Sequence, residues 1–181
     1  MKLEMRTLKN IAAAAMTLAV VFGAASLKPV TANAAEASGS ASIEEENSYI
    51  SFQDEAYQNE FLRRVNNERA KAGLKPVQLG DSNHNSAAQQ RAEEIATVNS
   101  HVRPNGTKWY TVLSEYGVTD AAAGENAAWG SVSPEEVVNA CMNSEGHRAN
   151  ILDPEARAMG VGYYYNSSST WGHQWIQLFT K

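Results

Sequence analysis

The sequence contains a single cysteine, Cys141, so no disulfide bond can form within the chain. Without disulfides, the stability of the fold has to come from a packed core. Cys141 stands among Val137, Val138 and Met142. These neighbours predict that its thiol packs as a small apolar group rather than acting as a nucleophile.

Basic residues are scarce after the N-terminal segment of the sequence. Residues 35–181 carry 11 Lys and Arg against 19 Asp and Glu, which gives a net charge of −8. Such a charge repels the phosphates of nucleic acids and of anionic lipids. We therefore expect no nucleic-acid partner.

Long hydrophobic runs are also missing, apart from residues 11–25, which follow the basic residues Lys2, Arg6 and Lys9. This run is shorter than the roughly 20 residues of a membrane span. Residues 32–34 match the A-x-A pattern that signal peptidase accepts. We interpret residues 1–34 as a secretory signal peptide, with a retained N-terminal anchor as the alternative. The mature chain is then expected to be secreted and extracellular, without stable membrane insertion.

Residues 35–51 are rich in Ser and Glu and poor in apolar residues. This composition cannot bury enough apolar surface to order itself, which is typical of a disordered linker. The remaining residues, 52–181, have a common size for one domain and contain no internal repeat. We therefore predict a single folded domain after the linker.

Helical spacing of apolar residues predicts four helices in the first part of this domain. Asp54 is positioned to cap the first helix and Gly73 to end it, while Ser133 opens the last helix in a capping box. In the second helix we expect Arg91 and Glu94 to point mostly outward. The predicted ranges are about 54–73, 81–99, 108–116 and 134–143.

The last third of the domain changes from helical to alternating patterns. Alternation over residues 159–165 and 171–179 predicts two strands, joined by the polar loop 166–169. Residues 125–129 can add a third strand. Helices followed by a small antiparallel sheet predict an α+β domain in which helices cover the sheet.

Neither the H-E-x-x-H metal motif nor the G-x-S-x-G nucleophile motif occurs. Three separated segments instead carry His101, Glu125, and the pair Glu145 and His147, the last two in a stretch we expect to be a loop. Two imidazoles with carboxylates suit Zn²⁺ or another divalent cation. Glu125 or Glu145 can also act as a general base. A hydrogen-bond network that only fixes loops fits the same four residues.

Two further histidines have simpler interpretations. His84 lies in a polar helix start and is expected to be solvated. His173 shares a strand face with Trp171 and Trp175, which predicts packing or an aromatic surface rather than metal ligation. An apolar groove near these two tryptophans would suit a lipid.

Three residues beside the histidine segments are expected to support the site. Asn126 follows Glu125, and Asn150 lies close behind His147. Asparagine side chains commonly bond nearby backbone groups, and the fork of Arg148 can hold a carboxylate. Their contribution to function would be indirect.

Taken together, four ordered motifs resemble the CAP superfamily of cysteine-rich secretory, antigen-5 and pathogenesis-related proteins, and are similar to its bacterial secreted branch. The resemblance implies an α-β-α sandwich with a cleft of two histidines and two acids, sometimes occupied by a divalent cation. His101, Glu125 and His147 match three of these positions, whereas Glu145 stands near the fourth in a shifted place. The motifs are Phe61–Arg69, Ser100–Gly106, Gly124–Ala127 and Ser144–Leu152.

Because fold does not fix function, three hypotheses remain. The first is a secreted binding or interaction module, not an enzyme, whose His/Glu cleft can hold a divalent cation. The second is a metal-assisted or Glu-activated hydrolase acting on peptide or cell-envelope substrates. The third is a lipid-binding or sterol-binding protein. The expected partner is accordingly a protein, a lipid or a cell-envelope ligand, and the sequence does not define an oligomeric state.

Overall fold

A computed structural model describes residues 55–181. The predicted signal peptide, the predicted linker and the predicted Asp54 cap lie outside the described residues. Within the described part, no helix has both the length and the apolar character needed to cross a bilayer.

Five helices and four strands make up residues 55–181, with the helices concentrated before the final hairpin. This order confirms the predicted α+β class. The bounds are α1 Glu55–Lys71, β1 Gln78–Leu79, α2 Ser82–Ile95, α3 Thr111–Glu115, β2 Ala122–Trp129, α4 Pro134–Met142, α5 Glu145–Ile151, β3 Ala158–Asn166 and β4 Gly172–Thr180.

Local capping signals set the ends of several helices. Asp81 caps α2, because its Oδ1 accepts a hydrogen bond from the His84 backbone at 2.9 Å. Ser133 caps α4 through the Glu136 backbone at 3.3 Å. Gly73 follows α1 with φ of 72°, the left-handed conformation that glycine adopts without strain.

The four strands form one sheet in the order β1-β3-β4-β2. β3 and β4 form the predicted hairpin, and β2 pairs with β4 in antiparallel register. β1 adds a two-residue parallel pairing to β3, with Gln78 opposite Ala158 and Leu79 opposite Met159. The sheet is therefore mixed rather than purely antiparallel, because β1 is too short to give a pattern in the sequence.

Alternate residues of β4 enter two separate cores, one on each face of the sheet. Trp175 and Phe179 pack with α1 and α4 residues, and Cys141 lies buried in this first core as predicted. Ile176 and Leu178 pack with α2 and α3 residues in the second core. Helices thus cover both faces, which is the α-β-α sandwich that the sequence resemblance implied.

α2 lies unusually close to β3. A Cβ added to Gly162 would stand 2.1 Å from the Ala88 carbonyl oxygen, and one at Gly160 would stand 2.7 Å from the His84 ring. The glycines of β3 therefore let the helix backbone rest directly on the strand.

The structure also corrects the predictions for residues 145–151 and for His84. Residues 145–151 form the helix α5, whereas we expected a loop to present Glu145 and His147. His84 is buried, with 3% of its surface exposed, whereas we expected it to be solvated. His84, the third residue of α2, faces β3, and Gly160 on that strand together with Gly80 provides the space for its ring.

Candidate functional site

His101 lies in a tight hairpin between α2 and α3. Its carbonyl accepts a hydrogen bond from the Trp109 backbone at 3.0 Å, and the Arg103 backbone donates to the Thr107 carbonyl at 2.9 Å. Gly106 closes the turn with φ of 82°, which glycine tolerates without a steric penalty. The hairpin thus fixes the backbone that carries His101.

The His101 ring is held from β2 by Glu125. The Nδ1 atom of the imidazole lies 2.7 Å from Oε1 of the carboxylate. The Glu125 side chain is fully buried, whereas 57% of the His101 side chain is exposed. The pair therefore joins a buried carboxylate to an imidazole that meets solvent.

Beneath this pair lies Arg91 of α2, which is fully buried. Its Nε donates to Glu125 Oε2 at 2.8 Å and its Nη2 to Oε1 at 3.2 Å. Nη2 also donates to the Ser100 carbonyl at 3.1 Å, and Nη1 to Glu94 at 2.6 Å. Arg91 thus binds both the carboxylate that holds His101 and the backbone just before it.

Sequence reasoning placed Arg91 on the outer face of its helix, and this was wrong. The residue lies three positions after Ala88 and four before Ile95, on the apolar stripe that faces the sheet. An arginine in such a stripe needs buried hydrogen-bond acceptors. The position of Arg91 on the apolar stripe could therefore have indicated that it has a buried acidic partner such as Glu125.

A second buried arginine, Arg103, ties the hairpin to its neighbours. Its guanidinium donates to Glu94 at 2.7 Å and to Glu115 at 2.6 Å. These bonds connect the hairpin to α2 and to α3. The Arg103 guanidinium also holds the pKa of the Glu115 carboxyl below its usual range.

His147 approaches from α5 on the other side of β2. Its carbonyl accepts a hydrogen bond from Asn126 Nδ2 at 3.1 Å. Asn150 Nδ2 donates to Asn126 Oδ1 at 2.8 Å and to the Glu125 carbonyl at 3.2 Å. Burial, and then the charge of His101, lower the pKa of His147. β2 therefore contacts both histidine segments, the His101 ring through Glu125 and the His147 backbone through Asn126.

β2 positions both histidines through adjacent residues. Side chains of successive strand residues point to opposite faces, so Glu125 reaches the His101 side and Asn126 the His147 side. Gly124 makes room for Asn150, because an added Cβ would lie 2.5 Å from Asn150 Oδ1. Each member of the Gly-Glu-Asn triplet thus has a defined structural task.

Comparison with known proteins identifies the family of this chain. Residues 62–179 match the sequence profile of CAP, the cysteine-rich secretory protein family. The chain belongs to the CAP family. Its CAP domain is 40% identical over 123 residues to the Bacillus subtilis protein YkwD, an alignment that covers 67% of this chain and 47% of YkwD. The chain therefore spans about half the length of this curated relative.

Solved structures confirm the CAP fold. An extracellular protein containing an SCP domain from Bacillus anthracis superposes with a TM-score of 0.60 at 23% identity, covering 70% of this chain and 40% of that one. An outer surface protein from Borrelia burgdorferi gives a TM-score of 0.61 at 19% identity, covering 70% and 93%. At these identities the likeness concerns the fold alone.

The donor set does not fit a pre-formed metal centre in this CAP domain. Both carboxylate oxygens of Glu125 face Arg91 donors, and Oε1 also faces His101. Glu145 lies exposed in the first turn of α5. Among residues 55–181, no group of three or more His, Cys, Asp or Glu side chains is arranged to hold a metal ion. Protein zinc sites use three or four such ligands. The functions proposed below therefore do not depend on a bound metal ion.

Arg148 lies near the CAP site but does not hold a carboxylate there. Its Nη1 donates to the Met142 carbonyl at 3.3 Å. This bond links α5 to the end of α4. Asn126 and Asn150, by contrast, join β2 to α5, because Asn126 donates to the His147 carbonyl and Asn150 donates to the Glu125 carbonyl and to Asn126 Oδ1.

The structure does not assemble the tryptophan groove on which the lipid hypothesis depended. Trp175 is buried and stacks on Tyr57, with ring centroids 5.9 Å apart. Trp171 is 55% exposed at the far end of the hairpin. His173 Nδ1 lies 2.7 Å from the Tyr163 hydroxyl, so this histidine has the packing role that we expected. The two tryptophans therefore do not line one groove.

A cavity of about 780 Å³ lies between α1, α2 and β3, and its lining includes neither His101 nor His147. Asn85 Oδ1 accepts from the Val161 backbone at 3.1 Å, and Gln89 Oε1 from the Tyr163 backbone at 3.2 Å. These amides cap the strand edge that the short β1 leaves open. Because they already serve the sheet, we place the functional site at the histidines instead.

Proposed function

We propose that this CAP-domain chain is an exported binding module whose ligand contacts the His101 ring beside His147. One observation carries the proposal, namely that a 57% exposed imidazole is held at 2.7 Å by a fully buried carboxylate. The ring is thereby fixed in direction while one side remains available. A pre-oriented polar group at the surface is what a ligand-binding site requires.

Energetics support a functional origin for this arrangement. Burying Arg91 and Glu125 costs several kcal/mol of desolvation per ion, and a buried ion pair often stabilises a fold no better than apolar residues of equal volume. Stability alone therefore does not account for the Arg91–Glu125 pair. The pair is explained by its effect on the orientation of the His101 ring.

Export is part of the proposal. The N-terminal 34 residues have the charge and hydropathy pattern of a signal peptide. Similar folds occur in proteins described as extracellular or as outer surface proteins. Expression in a bacterial host with N-terminal sequencing tests this step: we expect processed chain in the medium, beginning at Ala35. Unprocessed chain confined to the cells would contradict it.

The binding site is tested by histidine NMR. Ring resonances of the mature chain are followed while soluble peptidoglycan fragments are added, since an exported bacterial protein meets the cell envelope first. We expect the His101 and His147 signals to shift while those of His84 and His173 stay in place. His101→Gln should abolish the response, and His173→Gln is the matched control. A response that survives His101→Gln would refute the site.

A second candidate function is hydrolysis with His101 as general base. Its motivation is the Nδ1 contact with Glu125, since a carboxylate that orients an imidazole is a recurrent arrangement in acid–base catalysis. Glu125 itself is unsuited to the role of base, because Arg91 and His101 surround its oxygens. Peptide, ester and peptidoglycan substrates are assayed with wild type and Glu125→Gln. Background turnover by both proteins would eliminate this candidate.

A further inference from the structure

We propose that Arg91 is a positioning residue that fixes His101 in the tautomer with its proton on Nδ1. Nε2, the ring nitrogen that does not contact Glu125, then carries the lone pair of a side chain that is 57% exposed. This inference deepens the proposed function, and its consequence for a ligand rests on that function.

The first step concerns the two oxygens of Glu125. A guanidinium carries only donors and keeps its charge in proteins. Arg91 directs Nε to Oε2 at 2.8 Å and Nη2 to Oε1 at 3.2 Å, in the two-pronged geometry typical of arginine and carboxylate. Both carboxylate oxygens therefore act as hydrogen-bond acceptors.

The second step concerns the proton between Glu125 and His101. Nδ1 of the ring approaches Oε1 at 2.7 Å, which is a short hydrogen bond. Because Oε1 is an acceptor, the ring nitrogen has to be the donor. The hydrogen bond made by one ring nitrogen sets the state of the other, so neutral His101 carries no proton on Nε2.

The third step is that Arg91 fixes the backbone as well as the ring. Nη2 donates to the carbonyl of Ser100, the residue directly before His101. Nη1 is itself held by Glu94 at 2.6 Å. One buried side chain thus sets both the position of His101 and the direction in which its proton points.

A ligand that meets neutral His101 at Nε2 has to donate a hydrogen bond. Hydroxyl, amine and amide N–H groups satisfy this requirement. A carboxylate or phosphate oxygen would face a lone pair and be disfavoured. The site of the proposed function is therefore suited to polyols, amino groups or peptide N–H groups rather than to anions.

The test is the tautomer of His101 in the mature chain labelled with ¹⁵N-histidine. Long-range ¹H–¹⁵N spectra at about pH 8.5, above the usual imidazole titration, distinguish the two neutral forms. We expect the Nδ1–H form in wild type and a shift toward the mixture of a solvated histidine in Arg91→Met. Arg69→Met is the matched control, because it removes a buried arginine that donates to backbone carbonyls and contacts neither Glu125 nor the His101 hairpin. It should leave the His101 pattern unchanged.

If Arg91→Met does not fold, the wild-type spectrum and Arg91→Lys decide the question. Lysine keeps the charge but lacks the fork, so the Nε2–H fraction should rise. An Nε2–H form in wild type, or identical patterns in wild type and Arg91→Lys, would overturn the inference. A fixed Nδ1–H form with no response to any ligand would refute the proposed function and leave the role of Arg91 standing.

Discussion

Gly124→Ala tests how the Gly-Glu-Asn triplet builds the site. The added Cβ would lie 2.5 Å from Oδ1 and 2.6 Å from Cγ of Asn150. Contacts this short are not tolerated, so the Asn150 side chain has to move. That side chain holds both the Asn126 amide and the Glu125 carbonyl.

The expected loss of stability follows from two contributions. Overpacking of this kind costs about 1–3 kcal/mol. The two hydrogen bonds of Asn150 contribute about 0.5–1.5 kcal/mol each. Because Asn150 is half-buried and can partly rotate away, we expect Gly124→Ala to lower the free energy of unfolding by about 2–4 kcal/mol.

Urea unfolding of a double-mutant cycle measures this effect. Asn150→Ala removes Oδ1 and Cγ, the two atoms nearest the new Cβ, and leaves only the Asn150 Cβ at 3.1 Å, so the double variant should be close in stability to Asn150→Ala alone. Gly146→Ala is the control, since its Cβ would have no atom within 4 Å. Gly146 lies inside α5, where replacement of glycine by alanine should raise the free energy of unfolding by about 0.5–1 kcal/mol.

Two results would refute the reasoning. Gly124→Ala could leave the stability within about 0.5 kcal/mol of wild type, which is typical of substitutions without a steric conflict. Alternatively, the effects of Gly124→Ala and Asn150→Ala could simply add. Either result would show that the close approach of Gly124 and Asn150 is not what requires a glycine in β2.

Three further predictions follow from other groups. Burial lowers the pKa of His84 against the smaller opposing effects of Asp81 and Asp120. The contribution of neutral His84 to stability is therefore complete above about pH 6.5 and falls as the pH drops below it. As the pH is lowered, the urea midpoint should fall more steeply for wild type than for His84→Gln. Burial raises the pKa of Cys141 to about 12, so iodoacetamide should label the folded chain far more slowly than the urea-unfolded chain, as mass spectrometry would show. Zinc calorimetry at about pH 7.5 and 5.5 should show weak binding that is weaker in acid, and tight binding that is lost in the double variant His101→Ala with His147→Ala would contradict the geometry.

Local signals in the sequence predicted most of the fold. Ser133 and Asp81 have short side chains that bond the first turn of a helix, and this capping does not depend on distant residues. The alternation through Trp175 and Phe179 reflects burial on two faces of one strand. Such patterns are visible in a short window, so the starts of α2 and α4 and the hairpin could be predicted, whereas α2 ends at Ile95 rather than near residue 99.

The remaining features depend on contacts between distant residues. α5 has only seven residues and includes Gly146. A helix this short, with a residue of low helix propensity, could not be predicted from its sequence. His84 can be buried because Gly80 and also Gly160, more than seventy residues later, leave space for its ring. The histidine segments were recognised through their residue types, but the arginines that fix them were not, because their acceptors come from other elements.

Adjacent residues of β2 hold the two histidine segments. The site can therefore form only when β2 is correctly aligned, which is a late step in folding. A slip of β2 by one residue would exchange the faces of Glu125 and Asn126. Correct alignment depends on β4, which pairs with β2 across roughly fifty residues of chain and follows all the segments that carry the histidines. Contacts at such separation form late because their loop-closure entropy has to be overcome first. The proposed binding site would thus be absent until β4 has joined the sheet.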